Sequence, residues 1–136
     1  MTEKELCSLA INAMDRAYVP YSGYRVGAAL LTTGGKVFTG CNIENASYTP
    51  TVCAERTAVF KAVSEGYTFF EMIAVAGGKE GNITGAFPPC GVCRQVLAEF
   101  CSPDFPVLLV TGKDTFERLT LKDLLPRAFY PSYIEL

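Results

Sequence analysis

Cys53-Ala54-Glu55-Arg56-Thr57-Ala58 and Pro88-Pro89-Cys90-Gly91-Val92-Cys93 are the two ends of the stretch that decides the fold. After the first, Ala54, Ala58, Val59, Ala62 and Val63 recur at helical spacing, which predicts a helix from Cys53 to Glu65 with Gly66 as its stop. After the second, a helix is expected from Cys90 to Phe100. Between them Glu71 to Ala76 reads as a short buried strand, and Gly77 to Pro89, rich in glycine and proline, as the loop that delivers the chain to Cys90. Both cysteine groups therefore fall at helix starts.

Working outward, residues 2–17 form an amphipathic helix in this reading. Thr2 and Glu5 are spaced as a capping box, and Leu6, Leu9, Ala10, Ala13, Met14 and Ala17 share one face. Val19-Pro20-Tyr21-Ser22-Gly23 breaks it. Tyr24 to Leu31 and Lys36 to Thr39, joined across Thr33-Gly34-Gly35, read as a β-hairpin, and the polar segment from Cys41 to Thr51 as a loop. On the C-terminal side, Pro106 to Thr111 and Phe116 to Leu119 read as strands around the turn Gly112-Lys113-Asp114. Thr120 to Leu125 is a short helix, followed by a tail containing Phe129, Tyr130 and Tyr133. This order implies an α/β fold, a mixed sheet of about five strands covered by helices. The first, third and fourth strands are expected as a mixed arrangement with parallel neighbours. The last two strands must be antiparallel, because a turn of about three residues is too short for a crossover helix. No repeat or linker divides the chain, so residues 1–136 are expected to be one domain.

Composition narrows the function. Twelve basic and fourteen acidic residues leave a net charge of -2, with no basic cluster of the kind that neutralises a run of phosphates, which argues against a nucleic-acid partner. No apolar run approaches the ~18 residues of a membrane span, and the polar opening Met1-Thr2-Glu3-Lys4-Glu5 does not resemble a signal peptide. A cytoplasmic location is expected. Reducing conditions there turn six cysteines toward metal binding or catalysis rather than disulfides. The chain also lacks histidine, so a zinc site must use thiolates, and a proton carrier must come from Glu, Asp, Lys, Tyr or Cys.

Cys90 and Cys93, three residues apart in a first helical turn, can chelate one ion, with Cys53 brought in from the other helix start. Three thiolates leave a fourth position open, as in catalytic rather than structural zinc sites. Zinc with three thiolates carries net negative charge, which weakens its pull on a bound water. The partial positive charge of two helix N-termini offsets this, and Arg56 and Arg94 are candidates to hydrogen-bond a thiolate. Glu55 is the nearest proton shuttle. Two blander readings stand beside this one: a redox Cys-x-x-Cys pair, and a closed structural zinc module completed by Cys41 or Cys101. Cys7 and Cys101 otherwise read as small buried hydrophobes and Cys41 as a wall residue.

Cys53-Ala54-Glu55 with Pro89-Cys90-Gly91-Val92-Cys93 resembles the all-cysteine form of the zinc nucleobase deaminase signature. The likeness extends through Pro20-Tyr21-Ser22, Val26-Gly27-Ala28-Ala29-Leu30, Gly40-Cys41-Asn42-Ile43-Glu44-Asn45-Ala46-Ser47-Tyr48, Arg94-Gln95-Val96, Leu124-Leu125-Pro126 and Phe129. Together these are similar to the small homotetrameric cytidine deaminases of bacteria and animals. The resemblance implies the three-layer fold of that family and one zinc ion per subunit on Cys53, Cys90 and Cys93. It implies hydrolytic deamination of cytidine and 2'-deoxycytidine to the uridine products, as in pyrimidine salvage. Glu55 would protonate N3 and then the leaving ammonia, while metal-activated water attacks C4. Asn42 and Glu44 match ribose-binding positions, and the backbone of Ala54 matches the contact to the pyrimidine carbonyl. Ala46, Tyr48 and Phe129 match positions inserted into a neighbouring subunit's site, so the homotetramer would share its active sites. Tyr24 stands where many relatives carry Phe. Polynucleotide deaminases of the superfamily place a helix between the last two strands, so the short turn here favours a free nucleoside. The remaining alternatives are a deaminase of another aminopyrimidine nucleoside and a non-catalytic zinc-stabilised interaction module.

Overall fold

The computed structural model describes residues 1–134; positions 135 and 136 of the expected 1–136 unit lie outside the described residues. Helix α1 (Glu3–Ala13) is opened by the expected capping box: the Glu5 amide donates to Thr2 Oγ1 at 3.1 Å and the Thr2 amide to Glu5 Oε2 at 3.0 Å. The helix stops short of Ala17, tightening at Met14–Arg16 into a 3-10 turn. Strands β1 (Tyr24–Thr32) and β2 (Val37–Cys41) form the hairpin. Then follow α2 (Ala54–Ser64), β3 (Phe70–Lys79), α3 (Gly91–Phe100), β4 (Pro106–Val110), β5 (Phe116–Thr120) and the single turn α4 (Leu121–Leu124).

The sheet order is β2-β1-β3-β4-β5. Among the described residues β3 and β4 are the parallel pair while β1 and β3 run antiparallel, so the first, third and fourth strands form the expected mixed arrangement, with one parallel pair of neighbours. The reason is topological. The crossover through α2 makes β3 run in the direction of β2, but β3 docks on the far edge of β1, which itself opposes β2. β4 and β5 are antiparallel, as their short turn requires. β3 is also longer than the 71–76 read from sequence, because Gly77 and Gly78 remain paired with Val26 and Arg25 on β1 instead of opening the loop.

Three layers follow from the period-two alternation of the central strands. Ala29, Leu31, Ala74, Ala76, Leu108 and Val110 pack on α1 through Leu6, Cys7 and Ala10 and on Met14 of the turn that follows it. Val26, Ala28, Leu30, Ile73, Val75, Val107 and Leu109 pack on α2 and α3 through Ala58, Val59, Ala62, Leu97 and Ala98. Cys7 and Cys101 are buried in these two cores. Two glycines let helices approach the sheet closely. A Cβ at Gly27 would run into the Ala10 carbonyl and sit 2.7 Å from the Met14 nitrogen of the first helix and its extension. At Gly40 it would meet Ala54 O at 2.5 Å and Ala58 N at 2.6 Å. Gly40 thereby seats the first turn of α2, which carries Glu55 just after the Cys53 cap. No helix among the described residues is long and apolar enough to cross a membrane.

Candidate metal centre and active site

Cys53 is the N-cap of α2 and Cys90 the N-cap of α3, while Cys93 sits in the first turn of α3. Both cap residues have extended backbone and neither side chain caps its own helix, so the sulfurs are free to face one another. The three Sγ atoms lie within 4.8 Å of one another, and those of Cys53 and Cys90 are 3.5 Å apart. A tetrahedral zinc ion with bonds of about 2.3 Å spaces its sulfurs about 3.8 Å apart, so the cluster fits that ion. Cys41 and Cys101 are outside the cluster, and among the described residues no fourth thiol, histidine or carboxylate joins it. Three soft donors with one position unfilled by protein is the arrangement of an open site. It also disfavours a closed structural module.

The electrostatics suit a cation. Cys53 is lowered to about 5, first by the hydrogen bond from Cys93 and then by Arg56 and Cys90, against the opposing effect of burial. Cys93 is pushed up as the proton-holding partner of Cys53 and by its burial, with further negative charge around it. Arg56, one turn into α2, brings Nη2 to 3.5 Å from Cys53 Sγ. Arg94 does something different from what its position suggests: its Nε donates to Pro89 O at 2.7 Å and its Nη1 to Leu124 O at 2.5 Å. It braces the peptide before Cys90 against α4 and reaches no sulfur.

Glu55 follows the cap of α2 and is 3% exposed. Burial, reinforced by Cys53, raises its carboxyl to about 7, although its own backbone N–H and Cys93 pull the other way. Its Oε1 has no hydrogen-bond partner among the described residues. A buried acceptor left unsatisfied costs about 1–3 kcal/mol, more for a charged group, and marks a place where a ligand or water is expected. Such a carboxyl exchanges protons near neutral pH.

The acid and the cysteines open on a cavity of about 150 Å³ lined by Tyr24, Val26, Asn42, Thr51, Val52, Cys53, Ala54, Glu55, Phe87, Pro88 and Cys90. Thr51 also lines a neighbouring groove of about 380 Å³ formed with Tyr21, Ser22, Glu44 and Tyr48. Glu44 Oε1 accepts from the amides of Tyr21 (3.0 Å) and Ser22 (3.1 Å), and Oε2 accepts from the Ser22 hydroxyl. The Ser22 hydroxyl, with these amides, holds Glu44 below the usual carboxylate range. Of roughly four lone-pair sites on a carboxylate, one is left for a ligand. Asn42 is likewise oriented, its Oδ1 accepting from Val26 N at 2.9 Å and its Nδ2 donating to Tyr24 O at 2.8 Å. The segment carrying Asn42 and Glu44 is not a free loop: isolated bridges pair Ile43 with Tyr18 and with Val52.

The chain thus brings Cys53, Cys90, Glu55, Ala54, Asn42 and Tyr24 to one cavity, with Cys93 buried beside the other two sulfurs and Glu44 and Tyr48 in the neighbouring groove. Ala46 is exposed, and Tyr48 is 73% exposed with a left-handed φ of 62°, a strained conformation for a bulky residue. Phe129 does not line the cavity of its own chain; it is 57% exposed and stacks on Tyr133 at 5.9 Å between ring centroids. Sequence reasoning missed Phe87 and Thr51. Phe87 is an aromatic residue in a glycine-rich segment just before Pro88-Pro89-Cys90, and that contrast was its one available signal.

The family profile described as the cytidine and deoxycytidylate deaminase zinc-binding region matches residues 1–109. A cytidine deaminase of Sporosarcina psychrophila is 49% identical over 129 residues, covering 95% of this chain and 92% of that one. A second, from Halalkalibacterium halodurans, is also 49% identical over 129 residues, covering 95% of each chain. The crystal structure of cytidine deaminase from Burkholderia pseudomallei superposes with a TM-score of 0.87 at 46% identity, covering 95% of this chain and 100% of that one. With the fold, an open three-thiol zinc centre and these likenesses in agreement, the chain belongs to the cytidine and deoxycytidylate deaminase zinc-binding family.

Proposed function

We propose that the protein is a zinc-dependent hydrolase that converts cytidine, and 2'-deoxycytidine, to the corresponding uridine and ammonia, a reaction of pyrimidine salvage. The observation that carries this reading is the buried Glu55 carboxyl, whose Oε1 has no hydrogen-bond partner among the described residues, beside three clustered thiols of which Cys53 and Cys90 line a small cavity. A zinc ion held by Cys53, Cys90 and Cys93 supplies the Lewis acidity that makes water nucleophilic at neutral pH.

The protein's own groups do the rest. Glu55 accepts a proton from the attacking water and passes it to N3 of the pyrimidine as the new C–O bond forms at C4. It then takes the proton of the new C4 hydroxyl and carries it to the amino group, so that the C4–N bond breaks, the C4 carbonyl forms and ammonia leaves. Burial raises the Glu55 carboxyl above the ordinary carboxylate range, which suits it to take up as well as release a proton. Ala54, the first residue of α2, has an N–H outside the helical ladder, available to the pyrimidine carbonyl. The mostly apolar wall of Tyr24, Val26, Val52, Phe87 and Pro88 excludes bulk water from the base. Asn42 and the free lone pair of Glu44 bind the ribose in the adjoining groove, and that shared edge at Thr51 leaves room for a nucleoside larger than the cavity alone. Arg56 offsets the negative charge of the thiolates.

In this reading residues 1–136 are one catalytic domain acting in the cytoplasm on free nucleosides, not on nucleic acid. The assembly is a homotetramer in which Ala46, Tyr48 and Phe129 complete a neighbour's site. Support comes from the outward position of those side chains and from exposed apolar residues on α2 and α3, Phe60 and Val92, each at least half exposed. The test is the ultraviolet absorbance of cytidine mixed with purified protein. Loss of absorbance with wild type and none with Glu55→Ala is expected; a zinc-loaded wild type that leaves cytidine intact would overturn the reading.

A further inference from the structure

The catalytic cavity has a neighbour on its other side. A second cavity, of about 400 Å³, is lined by Tyr24, Gly77, Gly78, Lys79, Asn82, Thr84 and the 85–87 segment. Tyr24 and Phe87 line both cavities. Their rings stack at 6.1 Å between centroids with planes 15° apart, so the partition between the two spaces is a pair of aromatic rings. Each ring is held from behind. Tyr24 is anchored through its carbonyl by Asn42 and through its amide by the Ser22 hydroxyl, and Lys79 Nζ lies over its ring at 5.5 Å. Phe87 lies against the bare backbone of β3: a Cβ at Gly77 would come within 2.6 Å of its ring.

We propose that Phe87 sets the size limit for substituents at the pyrimidine C5 position, acting with Tyr24 as a two-ring wall between the catalytic cavity and the second one. The inference rests on the deaminase reading above. C4 has two ring neighbours, N3 and C5. With N3 turned to Glu55 on the α2 side, C5 is carried to the opposite side, where Phe87-Pro88-Pro89 leads into Cys90. A group on C5 lies in the plane of the base and meets the wall edge-on. With the Phe87 ring removed, the same group has a preformed space behind it.

The experiment compares kcat/KM for cytidine and for 5-methyl-, 5-iodo- and 5-propynylcytidine in wild type, Phe87→Leu and Phe87→Ala, all zinc-loaded. A pocket discriminates roughly 10- to 200-fold per methylene. The ratio of 5-propynylcytidine to cytidine is therefore expected to rise tenfold or more in Phe87→Ala, with Phe87→Leu between it and wild type. Because both substrates are measured on one preparation, the ratio is independent of the fraction of variant that folds, and the leucine variant keeps an apolar side chain against Gly77. A rise smaller than tenfold in Phe87→Ala overturns the inference while cytidine turnover by wild type preserves the parent reading. A wild type inert on cytidine overturns both.

Discussion

Replacing Gly40 by alanine tests whether the first turn of α2 is positioned by the sheet beneath it. The added methyl would lie 2.5 Å from the Ala54 carbonyl, 2.6 Å from the Ala58 nitrogen and 3.0 Å from Thr57 Cβ. To reach ordinary contact the helix must lift from β2 by about 1 Å. Overpacking of this kind destabilises by roughly 1–3 kcal/mol. Cys53 and Glu55 ride on the displaced turn, and a misplacement of about 1 Å at reacting groups lowers turnover by roughly 10²-fold. Gly27→Ala is the matched control, because it forces the same kind of clash between sheet and helix on the opposite face, against Ala10 and Met14 of the N-terminal helix. Denaturant unfolding and cytidine turnover per folded molecule are measured on both. Both variants should lose stability, and only Gly40→Ala should lose most of its activity per folded molecule. Equal loss of activity in the two, or full activity in Gly40→Ala, would refute the claim that the α2–β2 contact sets the catalytic geometry.

Three further outcomes are expected. In metal-free protein Glu55 is raised by burial from the ordinary 4.5 to about 7, so between those values the fold holds a proton that the unfolded chain has released, and stability falls as pH rises through that window. Glu55→Gln removes the effect; denaturant titration should find it equal to wild type near pH 4.5 and more stable by about 3 kcal/mol above pH 7, and a difference that does not change with pH would contradict this. Arg56→Ala deprives Cys53 of its guanidinium neighbour, so competition with a chromogenic chelator should show weaker zinc binding, whereas unaltered affinity and turnover would remove that role. Phe129→Ala should raise KM for cytidine or shift the sedimentation profile toward smaller species, and a fully active monomer would rule out shared sites.

The cysteine and acid constellation was legible in the sequence because it is local. Cys53 and Glu55 sit two residues apart, Cys90 and Cys93 three apart, and each pair is oriented by the start of its own helix. The helix-strand-helix rhythm and the antiparallel last pair were readable for the same reason, since hydrophobic period and turn length are near-neighbour properties. The antiparallel pairing of β1 with β3 was not, because which edge of the hairpin the third strand joins depends on where α2 packs. Arg94 shows the same limit: its neighbours in sequence are cysteines, but its partners are the carbonyls of Pro89 and of Leu124, thirty residues away.

The sequence by itself determined that the candidate donors are thiols, that a carboxyl lies two residues from the first of them, and that no histidine anywhere in the chain can replace either, because side-chain chemistry travels with the residue. Only the tertiary structure decided that the three sulfurs meet, that Glu55 is buried with Oε1 unpartnered among the described residues, and that the stacked rings of Tyr24 and Phe87 line two adjoining cavities. Those facts depend on distances between segments far apart in the chain. The distances are set by glycines such as Gly40 and Gly77, whose missing side chains let a helix and an aromatic ring approach the sheet.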